Sequence, residues 1–116
     1  MYRYSFYMTN IYETTIIVKP DLANDQMKNL TSSIDQFFTE NNTSIGYRED
    51  WGIKNLKFSI KKYSKGSFKF IRFISNTDFP KKLDGFLKFN NDCLRFLITK
   101  STNQLEETTP QINKDN

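Results

Sequence analysis

REDWGIKNLKFSIKKYSKGSFKFIR, residues 48–72, holds the only Trp of the chain, two of its four Gly and most of its surplus charge. Arg48, Lys54, Lys57, Lys61, Lys62, Lys65, Lys69 and Arg72 stand against Glu49 and Asp50. Eight against two makes the segment +6 in a chain of net charge +4, so the remainder is slightly acidic. The segment reads as two strands around a turn. Ser44 to Ile60 is a long strand interrupted at Gly52, and a lone Gly inside a strand marks a bulge or a close backbone approach. Lys62-Tyr63-Ser64-Lys65-Gly66 is the turn, and Phe68 to Ile74 returns to complete a hairpin. In the returning strand Phe68, Phe70 and Ile74 point one way, Ile71 and Phe73 the other. Helices can cover one of these faces. The second leaves rings exposed unless a partner covers it.

Outward from the hairpin, the period of the apolar residues changes. Ile11 to Val18 is β-branched and stops at Lys19-Pro20-Asp21, because Pro cannot continue a central strand. Its apolar density predicts a central strand buried on both faces. From Leu22 to about Asn41, Met27, Leu30, Ile34, Phe37 and Phe38 recur at helical spacing. Asp21 or Asn24 is placed to cap that helix, and Asn41 and Asn42 suit its end. A second helix starts at Thr77 or Asp78 with Pro80 in its first turn, where a missing N–H costs little. Leu83, Phe86 and Leu87 form its stripe, and it ends near Asn90-Asn91. Cys93 to Thr99 is a fourth strand. The order βαββαβ is the split-βαβ, ferredoxin-like α+β arrangement: a four-stranded antiparallel sheet with two helices on one face.

At 116 residues one domain is the default. Residues 1–10 read as a short leader and 11–101 as the folded domain. Residues 102–116 read as a polar, disordered tail whose apolar content cannot offset the entropy of ordering. Whether translation starts at Met1 or Met8 stays open. No apolar run approaches the roughly 20 residues of a membrane span. The chain has no His and one Cys, Cys93. That removes the commonest general base and metal ligand, an internal disulfide and a cysteine zinc site. No catalytic residue, metal site, cofactor or small-molecule substrate is expected. Cys93 reads as a small buried hydrophobe, not a nucleophile.

The basic residues interleaved with Trp51, Phe58, Tyr63, Phe68 and Phe70 suit a polyanion with stackable bases. They equally suit a hairpin whose lysines solvate its strands and guard an edge. A pI near 9.2 favours an anionic partner.

The run Trp51-Gly52-Ile53-Lys54-Asn55-Leu56-Lys57-Phe58-Ser59-Ile60-Lys61 resembles the signature of the bacterial-type small-subunit ribosomal protein S6 family. That signature is Gly, any residue, basic, polar, Leu, Ser or Ala, Tyr, any residue, Ile, then basic or small. Lys57 departs from the small position and Phe58 from the Tyr. Tyr12-Glu13 with Lys19-Pro20-Asp21, Lys65-Gly66 before an aromatic strand, and Leu87-Lys88-Phe89-Asn90-Asn91 leading to Leu94-Arg95-Phe96 extend the likeness over about residues 11–101.

The resemblance implies a non-catalytic ribosomal protein, in a bacterium or an organelle (mitochondrion or plastid). It implies binding to the central domain of small-subunit rRNA, on the platform, together with small-subunit ribosomal protein S18. Arg48, Lys54, Lys61, Lys62, Arg72, Lys88 and Arg95 are the candidate RNA contacts. Tyr12, Trp51, Phe68 and Phe70 are candidates for stacking or for the partner interface. A stand-alone RNA-recognition module on the same fold is the alternative, since Lys65-Gly66-Ser67-Phe68-Lys69-Phe70-Ile71-Arg72-Phe73 faintly resembles its basic-Gly-aromatic strand. The spacing there is one residue too long. An acylphosphatase-like enzyme would need an anion-cradling loop after the first strand. Val18-Lys19-Pro20-Asp21-Leu22 lacks Gly and carries an acid.

Overall fold

The computed structural model describes residues 9–101. The tail and all but the last two residues of the leader lie outside the described residues. Six elements follow in order: β1 (Thr9–Val18), α1 (Asn24–Glu40), β2 (Ser44–Ile60), β3 (Tyr63–Asn76), α2 (Phe79–Lys88) and β4 (Cys93–Lys100). β1 therefore begins inside the expected leader. The strands form one antiparallel sheet in the order β2-β3-β1-β4. Both helices lie against one face of it, the ferredoxin-like arrangement the element order predicts.

The covered face holds the core. Tyr12, Ile16 and Val18 of β1 and Ile71 and Phe73 of β3 meet Leu30, Ile34 and Phe38 of α1 and Phe79, Leu83 and Leu87 of α2. Phe73 is wholly buried. Phe38 and Phe79 approach its ring edge-on at 5.1 and 5.5 Å, and Tyr12 stacks on it at 5.7 Å. Edge-to-face rings place a positive edge on a negative face and add to the area term. β1 is central, as expected, but it is not buried on both faces. Tyr12, Thr14, Ile16 and Val18 are buried, while Ile11, Glu13, Thr15 and Ile17 are half-buried on the uncovered side. Both helices share one face, so nothing within 9–101 covers the other.

Caps differ from expectation in the side chains that accept the backbone N–H groups. Neither Asp21 nor Asn24 caps α1. Gln26 reaches back instead, its Oε1 accepting the Ala23 N–H at 2.9 Å. Asp21 receives the Tyr63 hydroxyl at 3.4 Å. The helix ends as read: Asn42 turns left-handed at φ 55°, and the Thr43 N–H returns to Phe38 O at 3.0 Å. At α2 the capping oxygen is Asn76 Oδ1, which accepts the Asp78 and Phe79 N–H groups at 3.0 Å each.

The hairpin turn lies earlier than expected. Lys61 and Lys62 have φ of 49° and 73°, and Ile60 pairs with Tyr63, so the turn is two residues long. Two consecutive left-handed residues give the twist a tight hairpin needs, usually with Asn or Gly. Lysines hide that geometry from the sequence. Lys65 and Gly66 consequently sit within β3, not in the turn. Gly52 does bear the expected bulge: its φ is +77° and the β2–β3 register slips between Asp50 and Gly52.

Candidate functional site

The uncovered face is the candidate. Its side chains come from alternate residues of four strands. Register sets Leu97 beside Thr15 and Thr15 beside Phe70, Thr99 beside Glu13 and Glu13 beside Arg72, and Arg95 beside Ile17 and Ile17 beside Phe68. β2 adds Tyr47, Glu49, Trp51 and Lys54 through two register slips. The first, between Ile45 and Tyr47, puts Ile45 opposite Phe73 on the core side and Tyr47 opposite Arg72 on the open side. The second leaves Trp51 as the extra residue of the Gly52 bulge, on the side of Glu49, and carries Lys54 to the open side opposite Gly66. A bulge turns a side chain that plain alternation would send the other way.

The result is a clamped ring cluster. Trp51 stacks on Phe70 at 5.4 Å with planes 11° apart, and Tyr47 meets Phe70 edge-on at 6.4 Å. Glu49 ties the outer two together. Its Oε2 accepts the Tyr47 hydroxyl and its Oε1 accepts the Trp51 indole N–H at 2.6 Å. The Tyr47 hydrogen bond, then that of Trp51, hold the Glu49 carboxyl below its ordinary pKa. The same bond to Glu49 raises the Tyr47 phenol. The Arg72 guanidinium stands 5.7 Å from the Tyr47 ring and 5.8 Å from Phe70, and the Lys54 ammonium 5.1 Å from Trp51 and 5.7 Å from Phe68. Tyr47 is 47% exposed, Leu97 63% and Ile74 45%. Such a concentration of unburied apolar surface marks a contact site.

Seven expected RNA contacts fall in separate places. Lys54, Arg72 and Arg95 lie on the open face. Arg72 is engaged there, its Nε and Nη2 donating to Glu13 Oε2 at 3.0 and 2.9 Å. Lys61 and Lys62 form the exposed hairpin tip, and neither makes an ion pair among the described residues. Arg48 pairs in register with Ile71, which sends it to the helix side, where its Nη2 donates to Asp35 of α1 at 2.8 Å. That pair, with Lys69 donating to Asp50 at 2.9 Å, rims a cavity of about 300 Å³ floored by Ile16, Leu30, Ile34 and Ile71. Lys88 ends α2 with its ammonium 3.9 Å from Asp84, one turn back.

Of the four expected ring contacts, Trp51, Phe68 and Phe70 are on the open face. Tyr12 is not. It is 8% exposed and stacked on Phe73 in the core, because it shares the parity of Ile16 and Val18. Its ring cannot meet a base or a partner there. Ile74 joins Trp51, Phe68 and Phe70 on the face, as the strand's alternation predicts, whereas Tyr47, Glu49, Glu13 and Leu97 belong to the face and escaped the sequence reading. Tyr47 depends on a register slip no local pattern announces.

Cys93 is buried and its thiol is pushed up to about 11 by that burial, as befits an inert side chain. Among the described residues no group of His, Cys, Asp and Glu could hold a metal ion, and no helix is long and apolar enough to cross a membrane.

Comparison with known proteins places this geometry among relatives. The sequence pattern described as ribosomal protein S6 matches residues 11–100. A small ribosomal subunit protein bS6 of Aquifex aeolicus is 33% identical over 87 residues, covering 74% of this chain and 79% of that one. The bS6 of Geobacter sulfurreducens is 27% identical over 104 residues, 90% and 89% of the two chains. In three dimensions the chain is similar to the crystal structure of the 30S ribosomal protein S6 of Thermotoga maritima. The TM-score is 0.79 at 20% identity, over 86% of this chain and 94% of that one, a likeness of fold.

Proposed function

The chain belongs to the ribosomal protein S6 family and is a protein of the small ribosomal subunit, and from that premise we propose that it joins the two partners of the platform, holding small-subunit rRNA with its hairpin end and ribosomal protein S18 with the open face of its sheet. It is a structural protein of the ribosome and not an enzyme.

The observation that carries this reading is the separation of two surfaces. In the ring cluster of the open face the cations already have partners: Arg72 is bound to Glu13, and Lys54 lies over two rings, while Arg95 lies toward the hairpin end of that face. Apolar, ring-rich and half-exposed, that face has the composition of a protein interface core. Phe70 lies beneath Trp51, so it is no free platform for a base. At the hairpin end Lys61 and Lys62 make no ion pair among the described residues. The turn reaches the ends of β1 and β4: Tyr63 bonds Asp21, Lys19 N bonds Asp92 O, and the Lys61 charge acts on Cys93. Lys61 and Lys62, with Arg95 two residues into β4, can neutralise phosphates without first breaking an ion pair. Phosphate contacts give affinity and steep salt dependence, while RNA shape and the joint surface with S18 give specificity.

Two experiments separate the surfaces. Charge reversal of Lys61 and Lys62 to Glu should release the protein from small subunits at lower salt in co-sedimentation, with S18 pull-down unchanged. Trp51→Ala should do the opposite, losing the pull-down first. Release that ignores the lysines, or a wild-type chain that never retains S18, would overturn the assignment.

A further inference from the structure

One oxygen at the centre of the open face has no hydrogen-bond donor among the described residues. Glu13 sits on β1, with Arg72 across on β3 and Thr99 across on β4. Both Arg72 donors converge on Oε2, at 3.0 and 2.9 Å. A guanidinium side-on to a carboxylate commonly spans both oxygens. Here Oε1 receives no donor among the described residues, and the Glu13 side chain is only 28% exposed. Glu49 stands on the other flank of Arg72 and is close enough to feel its charge, while its own two oxygens are taken by Tyr47 and Trp51. One guanidinium therefore serves two carboxylates. Lys54 and Arg95 share the face, but Lys54 lies over Trp51 and Phe68 and Arg95 stands beside Ile17, so among the described residues Arg72 alone is bound to Glu13.

We propose that Glu13 Oε1 is the acceptor for a cationic side chain, arginine or lysine, presented by the protein that docks on this face. The inference rests on the reading above that the face docks a protein. Docking strips water from Glu13. A carboxylate with an empty oxygen in a dry interface costs more than its ion pair returns, unless the incoming surface supplies a donor. The Arg72 guanidinium beside the site already stands 5.7 Å from the Tyr47 ring and 5.8 Å from Phe70, and a planar guanidinium is the cation that lies against such rings at least hydration cost. Glu13 would then set which partner fits, since a neutral or acidic surface meets an unfilled anion at the centre.

The test uses the full chain and S18, titrated at two salt concentrations. Glu13→Gln keeps an oxygen for Arg72 and removes the charge. It should weaken binding about tenfold or more and flatten its salt dependence. Arg72→Met separates this from a purely internal role. If Glu13 only positions Arg72, Arg72→Met and Glu13→Gln lose equally and the double variant loses no more. On the proposal, Arg72→Met frees the carboxylate and binds at least as tightly as wild type, and adding Glu13→Gln to it still loses about tenfold. Thermal unfolding of each variant checks that the fold persists. If wild-type protein binds S18 and Glu13→Gln binds it equally, this inference falls and the partner reading stands. If wild-type protein does not bind S18, both fall.

Discussion

The two faces of the sheet are built from the same four strands, one residue apart, and they solve opposite problems. On the helix side Phe73, Phe38 and Phe79 meet edge to face and none is more than 2% exposed. On the open side Trp51 lies flat on Phe70, and charged groups crowd the cluster: Glu49 at its rim, Arg72 and Lys54 over its rings. Rings that meet only one another define a core. Rings held in place by carboxylates and cations stay ordered while half in water. The difference shows how a sheet keeps an apolar surface ready for a partner without collapsing it: polar clamps do locally what a second layer of helices does on the far side.

The contrast breaks most visibly along β3. Phe73→Ala empties the centre of the covered face and should cost about 3–5 kcal/mol in denaturant unfolding. Phe70→Ala, three residues earlier, removes a half-buried ring and should cost about 1–2 kcal/mol, while its larger effect falls on S18 retention. Equal losses of stability would mean that the open face is part of the core. Gly66→Ala tests packing on the open side. A Cβ there would run into Cγ2 of Ile17, a stiff β-branched side chain, so the substitution should destabilise by about 1–3 kcal/mol. Thr14→Val tests the covered side with the opposite sign. The Thr14 hydroxyl is fully buried and has no hydrogen-bond partner among the described residues. An isosteric methyl should raise stability, by about 1 kcal/mol.

What the sequence discloses follows from how local each signal is. The stripe of α1, the Gly52 bulge and the two-sided Phe68–Ile74 strand rest on spacing within a few residues, and the folded chain keeps all three. Tyr12 was within reach too, since it has the parity of Ile16 and Val18, yet its place in a family motif suggested exposure. Two features needed the folded chain. Lys61 and Lys62 turn left-handed without Gly or Asn, so the turn carries no residue signature. Tyr47 reaches the open face only because β2 slips against β3 at Gly46. Arg48 was drawn into the RNA set by its neighbours in sequence, while its partner Asp35 lies thirteen residues away on α1.

The smallest effect separates the two faces through adjacent carboxylates. Glu49 points to the open side and Asp50 to the covered side, and both titrate below their ordinary values for different reasons. Glu49 is held down mainly by two neutral donors, the Tyr47 hydroxyl and the Trp51 N–H. Asp50 is held down first by the Lys69 ammonium, then by the Gly52 N–H. A carboxyl whose pKa is lower in the folded than in the unfolded chain stabilises the fold above its unfolded pKa of about 4. That contribution fades as the pH falls through the folded value. Added salt screens an ammonium and leaves a neutral hydrogen bond largely intact. Carboxyl titration by NMR at low and high salt should therefore show Asp50 moving back toward its ordinary value and Glu49 holding. Trp51→Phe should raise Glu49 part of the way, with the Tyr47 bond still in place, and leave Asp50 unmoved. If the two carboxyls respond to salt alike, the open-face rings are held by long-range charge and not by the Glu49 clamp.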